Sequence, residues 1–135
     1  MIVDDCDDDR ELSCYVLRNA GYRILQAHDA EQAQRLAGER KNIDLLVTEF
    51  NLPGMSGVEL ARWFRNRFPF HEALLVSDSP WEFEAWIEKV DWLHFLNKTT
   101  ALASLAEMVG KLLSETIGHL RGTADGAASQ DTFKE

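Results

Sequence analysis

The sequence predicts an α/β fold in which helices cover both faces of a parallel sheet of five strands. Short apolar runs alternate with longer stretches of helical periodicity from the first residues to about residue 117. The central run, over 43–49, is continuously apolar rather than alternating, which is typical of a strand buried on both faces. Parallel strands joined by right-handed crossovers place helices on both faces, so we expect a doubly wound domain.

Bulk composition is that of an ordinary globular domain. Of the 135 residues, 45% are hydrophobic and 27% are charged. The net charge of −9, without a cluster of Lys and Arg, argues against direct binding to nucleic acid. No apolar run reaches a membrane-spanning length, and there is no signal-peptide pattern, so we expect no membrane contact and a cytoplasmic location. Cys6 and Cys14 lack the spacing of a metal or disulfide motif.

Five short strands are predicted where apolar residues stop at polar residues or turn formers. The third strand ends abruptly, because Pro53-Gly54 and Gly57 force a tight loop after it. The predicted strands cover 2–3, 22–27, 43–49, 73–76 and 93–96.

Five helices are predicted between and after these strands. Each has a local start or stop signal, such as the Asp29 and Gln32 pair that resembles a capping box, and Gly21 as a residue just past a helix end. Ser79 and Pro80 begin the fourth helix. The apolar stripe of the first helix comprises Leu12, Tyr15, Val16 and Ala20, and the last helix has the clearest stripe of all. The predicted helices cover 7–20, 29–40, 56–68, 79–90 and 102–117.

The helical pattern is lost near residue 118. Residues 119–135 are rich in Gly, Ala, Ser and Thr with scattered charge, which is typical of a frayed tail or the start of a linker. We therefore expect one domain over 1–118 and a disordered tail over 119–135.

Polar residues follow four of the five predicted strands. Open parallel sheets bind ligands at the carboxyl ends of their strands, where Asp4 and Asp5 follow the first strand and Glu49 ends the third. Carboxylates held together raise one another's pKa unless a cation lies among them, and a hard cation such as Mg²⁺ suits oxygen ligands. Lys98 and the Ser77 hydroxyl could hold phosphoryl oxygens. The pattern indicates a metal-assisted phosphoryl site.

These residues resemble those of a known signalling family. The first strand ends in Val3-Asp4-Asp5, and the third is followed by Leu-Pro-Gly-Met-Ser-Gly at 52–57. Ser77 closes the fourth strand and Lys98 follows the fifth. In order and spacing, residues 1–117 resemble the receiver domains of bacterial two-component response regulators. The resemblance implies a flavodoxin-like strand order, 2-1-3-4-5, and a signalling module rather than an enzyme.

The resemblance also implies a metal site. In that family the acidic pair binds Mg²⁺, a role that falls on Asp4 and Asp5. The backbone carbonyl of Asn51 and the carboxylate at position 49 complete the implied ligand set. In the family the residue at position 49 is also the phosphoacceptor.

The remaining implied roles concern signal transmission. Ser77 and Lys98 would sense the phosphoryl group, and Phe95 would be the aromatic that moves as the signal is read. The fourth helix, fifth strand and fifth helix form the common partner face, to which Trp81 and Trp92 would contribute, unless they only cover the edge of the core. The implied partners are a histidine kinase, a phosphotransfer protein or an output domain, and a second copy in a homodimer.

Glu49 is the main departure from the family, whose phosphoacceptor is an aspartate. One added methylene moves the carboxylate by about 1.3 Å, and a shift of that size can cost on the order of 100-fold in rate. We therefore expect poor or no phosphorylation, and weakened binding of Mg²⁺. The alternative within the family is a working phosphoacceptor, with Glu49 a tolerated or engineered variant.

A small Mg²⁺-dependent phosphatase of similar α/β architecture is the alternative from another class. Such an enzyme needs a nucleophilic aspartate followed two residues later by an acid or base. Glu49-Phe50-Asn51 does not supply that pair.

Overall fold

The central sheet has the predicted architecture. We analysed a computed structural model of the chain, which describes residues 1–39, 42–78, 90–98 and 101–123. All strand pairs are parallel, and the order is β2-β1-β3-β4-β5, so the predicted flavodoxin-like arrangement is confirmed. The strands are β1 (Ile2–Val3), β2 (Gln26–Ala27), β3 (Leu45–Glu49), β4 (Glu72–Ser77) and β5 (Leu93–Asn97).

Four helices lie within the described residues. The helix predicted to begin at Ser79, with Trp81, falls outside them. The last helix continues to Thr123, past the end predicted at residue 117, and the boundary between domain and tail stays a prediction. None of the described helices is both long and apolar enough to cross a bilayer. The helices are α1 (Asp7–Asn19), α2 (Ala30–Glu39), α3 (Gly57–Arg67) and α4 (Ala101–Thr123).

Local signals in the sequence explain where helices begin and end. Ser56 caps α3 in a full capping box: its hydroxyl accepts from the Glu59 N–H at 3.2 Å, and the Glu59 carboxylate accepts from the Ser56 N–H at 3.4 Å. The Asp29 carboxylate accepts from the Gln32 N–H at 2.7 Å at the start of α2. Gly21, just past α1, has a φ of +99°, a conformation that favours glycine.

The sheet separates two hydrophobic layers. Leu46 of β3 and Leu75 of β4 pack with α2 and α3, whereas Val47 and Leu74 face α1 and α4. All five residues of β3 are buried, as expected for a strand with helices on both sides. The carboxyl end of β3 is therefore positioned by buried side chains on both faces of the sheet.

The predicted stripe of α1 is wrong. Leu12 and Tyr15 are exposed, while Cys14 and Leu17 are buried against the sheet and α4. Apolar residues at helical spacing mark two overlapping stripes on this short helix. The stripe that faces inward is determined by the packing of α4, and the local periodicity of the sequence does not predict that packing.

Candidate functional site

An acidic crevice lies where β1, β3 and β5 end. Val3 pairs with Thr48, so the next residues, Asp4 just past β1 and Glu49 at the end of β3, lie side by side. Lys98 directly follows β5 and reaches across β4 to both of them. These side chains line a small cleft of about 70 Å³. The crevice thus occupies the topological switch point between β1 and β3, where the sequence predicts it.

The Lys98 ammonium is surrounded by three carboxylates. Its Nζ lies 2.7 Å from Glu49 Oε1, 2.8 Å from Asp9 Oδ2 and 3.4 Å from Asp4 Oδ2. Burial alone would lower the pKa of Lys98. Hydrogen bonds to Asp9 and Glu49, and the attraction of Asp4, outweigh burial and raise that pKa well above its usual value. Lys98 therefore stays charged at any physiological pH.

Both carboxylate oxygens of Glu49 are engaged. While Oε1 contacts Lys98, Oε2 accepts hydrogen bonds from the backbone N–H groups of Phe50 at 2.6 Å and Asn51 at 3.3 Å. The Glu49 side chain is almost fully buried. The carboxylate is consequently folded back on its own loop and paired with a cation, rather than pointing freely into the cleft.

Gly57 fixes the backbone beneath Glu49. A Cβ at this position would lie 2.2 Å from the Glu49 carbonyl oxygen, a distance that no side chain tolerates, and 3.0 Å from the Phe50 Cα, which is already tight. The Gly57 N–H also donates to the Phe50 carbonyl at 2.7 Å. Only glycine lets α3 begin this close to the end of β3.

Asp4 is held by the loop between β1 and α1. Its Oδ1 accepts from the Cys6 N–H at 3.0 Å, and its carbonyl accepts from Arg10 at 2.8 Å. Burial raises the pKa of Asp4, and the hydrogen bond from Cys6 and the charge of Lys98 oppose that rise. Arg10 also pairs with Asp7 at 2.6 Å, which ties the loop to the first turn of α1.

Asp9 was missed by sequence reasoning. In the sequence, the acidic run Asp7-Asp8-Asp9 in the first turn of a helix suits the helix dipole and does not by itself indicate a binding site. Because α1 starts directly after β1, its first turn lies at the same end of the sheet as the crevice. The hydrogen bond from Lys98 lowers the pKa of Asp9. Adjacency in the chain therefore places Asp9 at the correct end of the sheet, but it does not show that the side chain faces the crevice.

The other predicted metal ligands lie at the rim of this crevice. Asp5 follows Asp4 and is exposed, and Asn51 is exposed beside Glu49. The crevice fits a hard divalent cation for two reasons. Its donor atoms are carboxylate oxygens, and its net charge is negative because one ammonium group faces three carboxylates. Lys98 already occupies the position between them.

Ser77, Phe95 and Trp92 take different positions around β4 and β5. Ser77 is fully buried at the end of β4, and its carbonyl accepts from the Lys98 N–H at 2.8 Å. Phe95 is exposed on β5. Trp92 is partly buried against the core, and the Arg65 guanidinium lies 5.3 Å from its ring centre. Ser77 and Lys98 are therefore neighbours, while Phe95 is exposed at the surface.

The fold and the crevice define a flavodoxin-like α/β domain with an acidic site at its switch point. The model of the family described as "Response regulator receiver domain" matches residues 1–110. The chain belongs to this family, as the resemblance implies.

Named relatives are similar over part of their length. The phosphate regulon transcriptional regulatory protein PhoB of Pseudomonas aeruginosa is 44% identical over 62 residues, which cover 46% of this chain and 27% of that protein. The sensor histidine kinase AruS of the same organism is 34% identical over 67 residues, 50% of this chain and 7% of the kinase. The chain thus spans less than a third of the length of these relatives.

Solved structures match nearly the whole domain. The receiver domain of the hybrid histidine kinase CckA is 30% identical, with a TM-score of 0.70, over 83% of this chain and 95% of that one. The response regulator TrrA of Thermotoga maritima, in complex with Mg²⁺ and BeF, is 27% identical, with a TM-score of 0.72, over 82% and 95%.

Proposed function

We propose that this receiver domain is a signalling and interaction module that is phosphorylated poorly or not at all, because Glu49 stands at the phosphoacceptor position. The observation that carries the proposal is the double engagement of the Glu49 carboxylate. One oxygen is 2.7 Å from Lys98 Nζ, and the other accepts two backbone hydrogen bonds. The domain then acts by contact with a partner protein and not as an enzyme.

A phosphoacceptor must present a free carboxylate oxygen in line with the incoming phosphorus. A charge-assisted hydrogen bond withdraws electron density from Glu49 Oε1, and the hydrogen bonds to Oε2 hold the group in a fixed orientation. The additional methylene changes the position of the attacking oxygen, and a shift of about 1 Å can cost on the order of 100-fold in rate. Both effects slow transfer to Glu49.

The same contact supports a resting state that partly imitates the phosphorylated one. Lys98 is already bound to an anion on the end of β3, without any phosphoryl group. Glutamate brings one negative charge, whereas a phosphate brings about −1.5 to −2 and three acceptor oxygens. Glu49 is therefore a partial substitute, and the domain rests toward its signalling conformation.

Asp4, Asp5, Glu49 and the carbonyl of Asn51 would hold Mg²⁺. When bound, the ion neutralises charge on a phosphoryl group. The T. maritima relative was crystallised with Mg²⁺ and BeF. In this chain Lys98 competes for Glu49, so we expect weak binding.

Partners are proposed from the relatives and from the surface. Matching segments occur in sensor kinases and in a transcriptional regulator, so a histidine kinase, a phosphotransfer protein or an output domain is the expected partner, in the cytoplasm. The expected partner face comprises β5, α4 and the helix predicted from Ser79. Phe95 is exposed on β5, the edge strand of the sheet, and Trp92 directly precedes that strand. This face would also serve a homodimer. Ser77 and Lys98 would transmit the state of the crevice to it.

Labelling with a small acyl phosphate tests the proposal. The protein, Glu49→Asp and Glu49→Gln are incubated with the reagent and Mg²⁺, and adducts are followed by intact-protein mass spectrometry. We expect Glu49→Asp to gain one phosphoryl group at least about 100-fold faster than the unchanged protein. Glu49→Gln is the control for labelling elsewhere.

Two results would contradict the proposal. Stoichiometric labelling of the unchanged protein that disappears in Glu49→Gln would identify a working phosphoacceptor. Failure of Glu49→Asp to label would show that the glutamate is not the reason for inactivity.

A further inference from the structure

A second cluster of ionisable side chains lies at the opposite end of the sheet from the crevice. Glu72 opens β4 and His94 is the second residue of β5. His94 pairs with Leu74, so Glu72 is its diagonal neighbour on the same face of the sheet. The helix α4 packs on that face through Leu112 and brings Glu115 to the same place. Three elements that are distant in sequence thus converge.

We propose that Glu72, His94 and Glu115 form a binding site for a divalent transition-metal ion of the zinc type. His94 Nε2 is 2.8 Å from Glu72 Oε1, and one ligand atom from each of the three residues lies within 4.8 Å of the others. Within the part of the chain that the structure describes, no other group of three His, Cys, Asp or Glu side chains meets that distance. The crevice carboxylates do not meet that distance either, because they are spread around Lys98.

The spacing suits such an ion with small side-chain movements. Zn²⁺ takes imidazole nitrogen and carboxylate oxygen at about 2.0–2.2 Å, which in a tetrahedral site separates neighbouring ligand atoms by roughly 3.4 Å. The contact between His94 and Glu72 would open by a few tenths of an ångström. Glu115 is exposed on α4, so its long side chain can close the remaining gap. A fourth position would stay open for water.

The surroundings of Glu72 also suit a ligand role. The Arg65 guanidinium lies near Glu72, with NH1 3.9 Å from Oε2, and its charge favours the ionised carboxylate, while the other oxygen, Oε1, faces His94. Glu72 and His94 are both mostly buried, which limits the side-chain freedom lost on binding.

The imidazole selects the class of ion. Mg²⁺ prefers oxygen donors and keeps much of its water, whereas imidazole suits zinc and its neighbours. The cluster therefore differs in metal preference from the crevice. An ion bound here would join β4, β5 and α4, and so fasten the last described helix to the edge of the sheet.

Zinc titration of the full chain tests the proposal, with a fluorescent chelator as competitor. The unchanged protein should bind one Zn²⁺ with an affinity that excess Mg²⁺ does not reduce. His94→Gln should weaken binding on the order of 100-fold, and Glu115→Gln at least about 10-fold, since even outer partners of metal ligands cost 10–100-fold. Heating the protein with and without Zn²⁺ should show the matching rise in Tm.

Matched controls exist in the chain. His28 is an exposed histidine 3.1 Å from the Asp29 carboxylate, and Glu107 is exposed on the same helix as Glu115. Both His28→Gln and Glu107→Gln should bind Zn²⁺ like the unchanged protein.

Absence of zinc binding, or binding that survives both His94→Gln and Glu115→Gln, would overturn the proposal and leave His94 and Glu72 with a purely structural hydrogen bond. Loss of binding in Cys6→Ser alone would place the ion elsewhere. Circular dichroism checks that each variant is folded. If His94→Gln is not folded, the zinc affinity of Glu115→Gln decides the outcome, because Glu115 is exposed.

Discussion

The two ends of the sheet hold carboxylates in opposite ways. At the carboxyl end, Asp4, Asp9 and Glu49 surround the permanent charge of Lys98. At the amino end, Glu72 and Glu115 lie around His94, whose imidazole is charged only when it takes up a proton. At the carboxyl end the protein supplies its own cation, Lys98, whereas the amino end is suited to a metal ion from solution.

Burial explains why the two ends differ. Asp4 and Glu49 are 7% and 8% exposed, so their charges need a partner within the fold. Glu115 is exposed and can remain hydrated. We conclude that the ion pairs at the carboxyl end contribute to the stability of the fold, whereas the charge of Glu115 at the amino end does not depend on a partner within the fold.

Lys98→Met is expected to have the largest effect. It leaves Asp4, Asp9 and Glu49 without their shared cation, and removal of one partner from a buried ion pair costs about 3 kcal/mol or more. The free energy of unfolding, measured with urea at pH 7, should fall by that amount. The loss should shrink at acidic pH as Asp4, whose pKa is raised by burial, takes up a proton.

Lys111→Met is the matched control, because Lys111 is exposed on α4. It should change stability by less than about 0.5 kcal/mol. Equal stability of the two variants would mean that Lys98 is dispensable and that the two ends of the sheet do not differ.

Gly57→Ala should come next in size. The added methyl group collides with the Glu49 carbonyl and the Phe50 Cα, which are backbone atoms and cannot turn aside. Overpacking of this kind costs about 1–3 kcal/mol. Gly38→Ala, in α2 with no atom within 4 Å of the new methyl, should instead stabilise by up to about 1 kcal/mol. Similar values from urea unfolding of the two variants would refute the tight contact below Glu49.

Acidification should have the smallest effect and should act through His71, next to Glu72. Burial lowers the pKa of His71 below its usual 6.5, with Asp44 opposing and Arg65 adding to the shift. The unfolded chain then takes up the proton first, so stability is complete above pH 6.5 and falls as the pH drops below it. His71→Gln should reduce this loss between pH 7 and 5, whereas His28→Gln should retain it. If the free energy of unfolding fell in parallel with pH for the unchanged protein and both variants, His71 would be excluded as the cause of the loss.

Most of the fold could be predicted from the sequence. Apolar runs and helix periodicity predicted the five strands and the start of α3 at Ser56, but the second strand covers only Gln26–Ala27 instead of 22–27. The strand order came from the family resemblance. The face of α1 could not be predicted, because the burial of Cys14 and Leu17 depends on where α4 packs. The end of α4 was placed too early, since the loss of an apolar stripe does not by itself end a helix.

The candidate site was predictable in outline only. Strand ends located Asp4, Glu49 and Lys98, because all parallel strands end on the same edge of the sheet. Asp9 was not predicted, since its role depends on the direction in which α1 leaves β1. The cluster of Glu72, His94 and Glu115 was also missed, because its members are far apart in sequence and only the register of β4 and β5 brings them together.

A double-mutant cycle between Lys98 and Glu49 tests the central claim most directly. The free energies of unfolding of the unchanged protein, Lys98→Met, Glu49→Gln and the double variant give the interaction between the two side chains. We predict a coupling of about 2 kcal/mol, within the range for charged residues in contact. A coupling within about 0.3 kcal/mol of zero would show that Glu49 is not held by Lys98 and would contradict the account.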